Sequence, residues 1–185
     1  MKQAAKKLAV WAMALVVFVS FSMPGQTVSA ANSKKAKSKY KAYLDYEGNG
    51  VMHYEFNNGG KVSIKNKKGK AKYTITMKLK QCSDFRSEED KTKKVKDTSK
   101  LELWINDIVS DHKKKDIKIS NIVVKCDGKK VKLNSKKIKQ KVITGEDDVK
   151  RYCVFIFGDN AKTAKAKAFN WKNKITVSFT VNIKK

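Results

Sequence analysis

From Lys174 to Ile183 the chain alternates without a break. Ile175, Val177, Phe179, Val181 and Ile183 fall on one phase, and Lys174, Thr176, Ser178, Thr180 and Asn182 on the other. Successive side chains of a strand point to opposite faces, so this segment predicts a strand with one buried and one wet face. Ala71 to Lys80 repeats the pattern, with Tyr73, Ile75, Met77 and Leu79 against Lys72, Thr74, Thr76, Lys78 and Lys80. Leu101, Leu103 and Ile105 form a third apolar phase. Ile117 and Ile119, then Ile122 and Val124, form a fourth, and its slip at Ser120-Asn121 predicts a bulge. Val149 to Phe157 is apolar on both phases after Arg151, as expected of a central strand. Tyr40–Tyr46, Val51–Phe56, Val62–Lys65, Val131–Leu133 and Ile138–Thr144 are weaker strands, and the alanines and lysines of Gly158–Ala168 suggest a short helix.

Turn residues separate these runs. Gly48-Asn49-Gly50, Asn57-Asn58-Gly59-Gly60, Lys68-Gly69 and Asp127-Gly128 are each expected to close a hairpin. About nine or ten short strands at this spacing predict an all-β fold, an antiparallel β-sandwich of immunoglobulin-like or jelly-roll-like kind.

The first thirty residues follow another rule. Lys2, Lys6 and Lys7 precede the apolar run Leu8–Phe21, then Pro24 and Gly25, then the small residues Val28-Ser29-Ala30. This is the order of a secretory signal peptide, with cleavage expected between Ala30 and Ala31. The run is shorter than the ~20 residues of a spanning helix, so no transmembrane span is expected after cleavage. Residues 31–39 read as a flexible basic arm, and 40–185 as a single β-sandwich domain. The expected location is secreted, with cell-wall association by charge.

Charge changes the picture further. The formal net charge is +26, from 43 Lys+Arg against 17 Asp+Glu, and Arg86 and Arg151 are the only arginines. Lysine on the wet phase of a strand coats a solvated face and discourages edge-to-edge aggregation. It also offers a surface to polyanions, whose binding would relieve the self-repulsion of so much like charge. Base readout favours arginine forks, so no specific nucleic-acid recognition is expected. Anionic polymers or glycans of the cell envelope or host surface are the expected partners, with Lys72, Lys78 and Lys80 as candidate contacts.

A second candidate is aromatic. Trp104 lies off the apolar phase of its strand, between Glu102 and Asn106, and Tyr43 lies between Lys41 and Asp45 on a polar phase. A tryptophan flanked by hydrogen-bonding side chains on a wet sheet face suits a pyranose ring, which points to a carbohydrate-binding module or adhesin. The competing reading is that both faces of this strand are buried, or that Trp104 packs under a loop. Trp171 shares the core phase and is expected to be structural.

Other chemistry is thin. His53 and His112 stand apart from any recognisable nucleophile, and no HExxH, P-loop or GxGxxG occurs. Asp45, Glu47, Glu55 and Glu102 offer carboxylates, but their spacing selects no glycosidase pair. Glu88-Glu89-Asp90, Glu146-Asp147-Asp148 and Asp159-Asn160 match no EF-hand. The expectation is a non-enzymatic binding module without cofactor or metal. Of Cys82, Cys126 and Cys153, the last two share buried phases, so Cys126–Cys153 is the favoured bridge if one forms; otherwise all three are thiols acting as small hydrophobes. An immunoglobulin cysteine frame would place a tyrosine two residues before the second cysteine, where Arg151 stands.

Overall fold

A computed structural model describes residues 39–48, 51–53, 60–82, 97–145 and 147–184. The expected cleavage site at Ala30 and Ala31, the arm up to residue 38, and the turn at Asn57–Gly59 lie outside the described residues.

Strands dominate, arranged as two antiparallel sheets. The larger holds β1 (Lys39–Gly48), β2 (Val51–His53), β3 (Lys61–Lys65), β5 (Lys100–Asn106), β8 (Lys139–Thr144), β9 (Lys150–Gly158) and β10 (Ala161–Lys162). β1 pairs with β5 and also with β2 and β3; β9 pairs with β5 and also with β8 and β10. The smaller sheet runs β4 (Gly69–Lys78), β11 (Lys174–Ile183), β6 (Ile117–Cys126), β7 (Lys129–Lys130). Among the described residues one short α-helix, α1 (Ile108–Asp111), stands between β5 and β6.

The alternation becomes packing. Ile75 and Met77 of β4, Ile117, Ile119 and Val124 of β6, and all five apolar residues of β11 join one hydrophobic cluster. The same cluster takes Tyr40, Leu44 and Tyr46 of β1, Leu101, Leu103 and Ile105 of β5, and Tyr152, Val154 and Ile156 of β9. Trp171 belongs to it and sits edge-on to Tyr46 at 5.4 Å. β9 is buried on both faces along nearly its whole length. The expected bulge is present: Ser178 pairs with Val123 and Thr180 with Ser120, and Asn121 takes φ 52 to absorb the extra residue. The two-residue turn at Asp127-Gly128 sets the register Cys126↔Lys129, and β1 and β2 pair with Gly48 opposite Val51.

Three local expectations are corrected and one is narrowed. Lys68-Gly69 closes no hairpin, because β3 and β4 belong to different sheets and the turn carries the chain between them. The short helix expected within Gly158–Ala168 is a 3-10 helix at its end, Ala166–Phe169, after a turn at Asp159-Asn160 that pairs Ala161 with Gly158. Val131–Leu133 is a loop. The Val131 amide still donates to the Val124 carbonyl (2.9 Å), but the Asn134 amide donates to Thr163 (2.8 Å), which draws the chain towards the other sheet. The strand expected to reach Lys80 stops at Lys78, because the Leu79 amide donates to the Asn173 carbonyl (3.0 Å) and Cys82 closes a 3-10 turn back onto Leu79.

The Cys126–Cys153 bridge is not formed, and all three cysteines are free. Cys126 points into the cluster shared by the two sheets, whereas Cys153 lies on the opposite face of the larger sheet, packed with Phe155 and Ala161. Burial pushes the Cys126 thiol up to about 12 and the half-buried Cys82 thiol up to about 11. Cys153 is raised too, first by burial and then by the Glu102 carboxylate 3.8 Å away. The thiolate is the reactive form. Native protein in iodoacetamide at pH 8 is therefore expected to leave Cys126 and Cys153 unlabelled, and unfolded protein to label both. Rapid native labelling of Cys153 would contradict this packing.

Candidate functional site

The wet phases of β4, β11, β6 and β7 make one surface. Across the strands, Lys78 faces Lys174, Thr76 faces Thr176, Thr74 faces Ser178, Lys72 faces Thr180, and Lys70 faces Asn182. On the next strand Thr176 faces Lys125 and Asn182 faces Lys118, and Lys125 faces Lys130. Hydroxyls bind one another along the middle, Thr74 Oγ1 to Ser178 Oγ at 2.9 Å and Thr76 Oγ1 to Thr176 Oγ1 at 3.3 Å. The lysines surround them, exposed. No strand of this sheet contains Asp or Glu.

At one end the surface is concave. A cavity of about 640 Å³ is lined by Lys78, Leu79, Lys80, Lys172, Asn173 and Lys174. Lys78 comes from the end of β4 and Lys80 from the 3-10 turn after it. Lys172 lies just before β11, and Lys174 is its first residue. Lysines directly opposed across strands repel, at a cost of roughly 0.2–1 kcal/mol. The wall is held by Asp127 in the β6–β7 turn. Its carboxylate accepts the backbone N–H groups of Lys172 (2.6 Å), Asn173 (2.8 Å) and Lys174 (2.9 Å). Those bonds, the one from Lys172 first, hold the Asp127 carboxyl below its ordinary range.

The larger sheet carries the opposite chemistry on the face turned away from the shared cluster. Among the described residues its strand carboxylates are Asp45, Glu47 and Glu102, and register sets Asp45 directly opposite Glu102. Trp104 lies opposite Tyr43, with ring centroids 6.4 Å apart and planes 17° from parallel. Trp104 Nε1 donates to Glu102 Oε2 at 2.9 Å. Lys100 Nζ stands 3.2 Å from Asp45 Oδ2, and Oδ1 has no hydrogen-bond partner among the described residues. Tyr43, Asp45 and Glu102 are buried, and Trp104 and Asn106 are half-buried. Burial is the first cause that raises both carboxyls.

The candidate residues thus fall into two places. Lys72, Lys78 and Lys80 lie on or beside the lysine surface; Tyr43, Glu102, Trp104 and Asn106 lie together on the other sheet. Sequence reasoning missed Lys172, Lys174 and Asp127. Lys174 was visible only as a wet-phase residue. Asp127 was visible only as a turn residue, because its contacts are made to a segment about 45 residues away. The remaining acidic expectations resolve locally: Asp147 pairs with Arg151, and Glu88-Glu89-Asp90 lies outside the described residues. Among the described residues no His, Cys, Asp and Glu cluster could hold a metal, and no helix is long and apolar enough to cross a membrane. No family model, curated protein or solved structure matches this chain.

Proposed function

We propose that this chain is a secreted, basic, single-domain β-sandwich that binds anionic polymers of a cell envelope or host surface and performs no chemistry. The sandwich reading rests on one cluster filled from both sheets. Export rests on the order of charge, apolar run and small residues in the first thirty positions. The observation that carries the function is the acid-free lysine face of the smaller sheet with a lysine-lined cavity at its end. Lysine ammonium groups act as point charges towards phosphate and sulfate, so a diffuse polymer suits them better than a read sequence.

The protein is expected to stay on immobilised poly(glycerol phosphate) or heparin at low salt and to elute as salt rises. Flow-through on both matrices, and on single-stranded DNA, at low salt would sink the reading. Moderate salt is also expected to raise the melting temperature by screening the self-repulsion of so lysine-rich a chain. A flat or falling dependence would show that this repulsion does not limit stability.

A second reading, a carbohydrate-binding module or adhesin, is favoured by the near-parallel Tyr43 and Trp104 rings beside Glu102. Glycan binding that survives high salt and disappears in Trp104→Ala supports it. Equal glycan binding by wild type and variant removes it.

A further inference from the structure

We propose that the cavity between Lys78, Lys80, Lys172 and Lys174 is a discrete phosphate subsite, and that Asp127 is the residue that positions it. The inference rests on the polyanion reading of the same sheet and gives it a specific anchor. Elsewhere on the face, lysines of one strand stand about 7 Å or more apart along a flat ladder. Here two segments bring four lysines around one concavity, and among the described residues no carboxylate lines it. Lys78 and Lys174 are directly opposed, and a shared anion between them turns their repulsion into attraction. Ammonium groups act as compact point charges with three rotatable donors, so several of them around one concavity fit a tetrahedral anion with several oxygens better than a planar carboxylate, which suits an arginine fork.

Asp127 explains why the wall has a shape at all. Lys172 and Lys174 flank Asn173 where the chain bends into β11, and both line the cavity. The backbone carrying them is pinned by three hydrogen bonds to one carboxylate. The carboxylate is thereby turned to amides in the wall. Removing it takes away a negative charge close to a basic cavity, which by charge alone would strengthen anion binding. Loss of positioning predicts the reverse.

The test titrates the protein with inorganic phosphate at constant ionic strength and follows backbone amide resonances. Saturable shifts are expected at Lys172, Asn173 and Lys174. Lys78→Gln with Lys174→Gln is expected to weaken phosphate binding by about tenfold, the loss of roughly one good ionic contact. Lys70→Gln with Lys118→Gln, an equal loss of charge at the far end of the sheet, is expected to weaken it by less than about twofold. Asp127→Asn is expected to weaken it by about threefold, in a protein whose other amide resonances stay in place. Non-saturable shifts, or equal effects of the two lysine pairs, overturn the subsite while leaving polymer retention as a separate result. Tighter phosphate binding by Asp127→Asn overturns the positioning role. Saturation by inorganic phosphate with retention on single-stranded DNA but not on poly(glycerol phosphate) keeps the subsite and overturns the assigned polymer class.

Discussion

Phe179→Ala is expected to lower the unfolding free energy by about 4 kcal/mol. Phe179 is fully buried at the middle of β11, the strand between β4 and β6. It faces Tyr73 across the ladder, with ring centroids 6.0 Å apart. On its other side the ladder is broken by the Asn121 bulge, so side-chain packing carries more of the local cohesion there. Removing the ring leaves a cavity between strands that are hydrogen-bonded in fixed register and cannot close over it. Domains of this size hold roughly 5–15 kcal/mol in all, so the loss is a large share. Urea denaturation measures it. Phe179→Leu, which keeps most of the volume, is expected to cost about 1 kcal/mol. A Phe179→Ala cost below about 1 kcal/mol would mean the two sheets do not share the packed cluster described.

Lys100→Met is expected to destabilise by about 2 kcal/mol at pH 8 and by little near pH 4. Breaking a fully buried ion pair costs about 3–5 kcal/mol, and the figure is reduced because Lys100 keeps 28% of its side-chain surface exposed. Asp45 and Glu102 stand opposite each other, and both hold their protons more tightly folded than unfolded because burial opposes their charge. Their contribution to stability is therefore fully present below their ordinary values of 3.8 and 4.5 and is lost as pH rises through the raised folded values. Lys100 offsets that loss at Asp45 by pairing with the charged form. Without Lys100 the charged form at high pH is left with less compensation, while the protonated form at low pH barely notices. Asp127 runs the other way: its lowered value contributes stability that is present above 3.8 and is lost as pH falls through the folded value. Thermal melts of wild type and variant across pH 4–8 measure the difference. A penalty that is the same at both ends would show that Asp45 is not the group responsible.

How far the fold could be read depended on where each constraint lay. β11 was legible because ten-residue alternation leaves only one way to bury five apolar side chains, and β4 because Tyr73, Ile75 and Met77 alternate in the same way. β9 was legible because both of its phases are apolar. The Asn121 bulge was legible from one phase slip. The sheet to which a strand belongs was not, since the turn at Lys68-Gly69 looks the same whether it closes a hairpin or crosses between layers. The cysteines show the same limit: alternation places Cys126 and Cys153 on buried phases, but not on which side of which sheet. Trp104 lies off the phase of the shared cluster but packs against a second buried cluster of Cys153, Phe155 and Ala161, and that packing, like the burial of Tyr43, Asp45 and Glu102 around it, is a property of the assembled face. The lysine surface was readable strand by strand. Its cavity needed Asp127 to meet Lys172–Lys174, which no local pattern reports.

The most direct measurement compares two charge-matched variants on poly(glycerol phosphate). One carries glutamine at Lys70, Lys72, Lys78 and Lys174 of the smaller sheet, the other at Lys41, Lys61, Lys65 and Lys139 of the larger. Both lose the same net charge. If the acid-free face is the binding surface, the first weakens binding by about a hundredfold and flattens its salt dependence, and the second by about threefold. Equal losses in the two variants would mean that the charge merely coats the domain and that no face of it is a site.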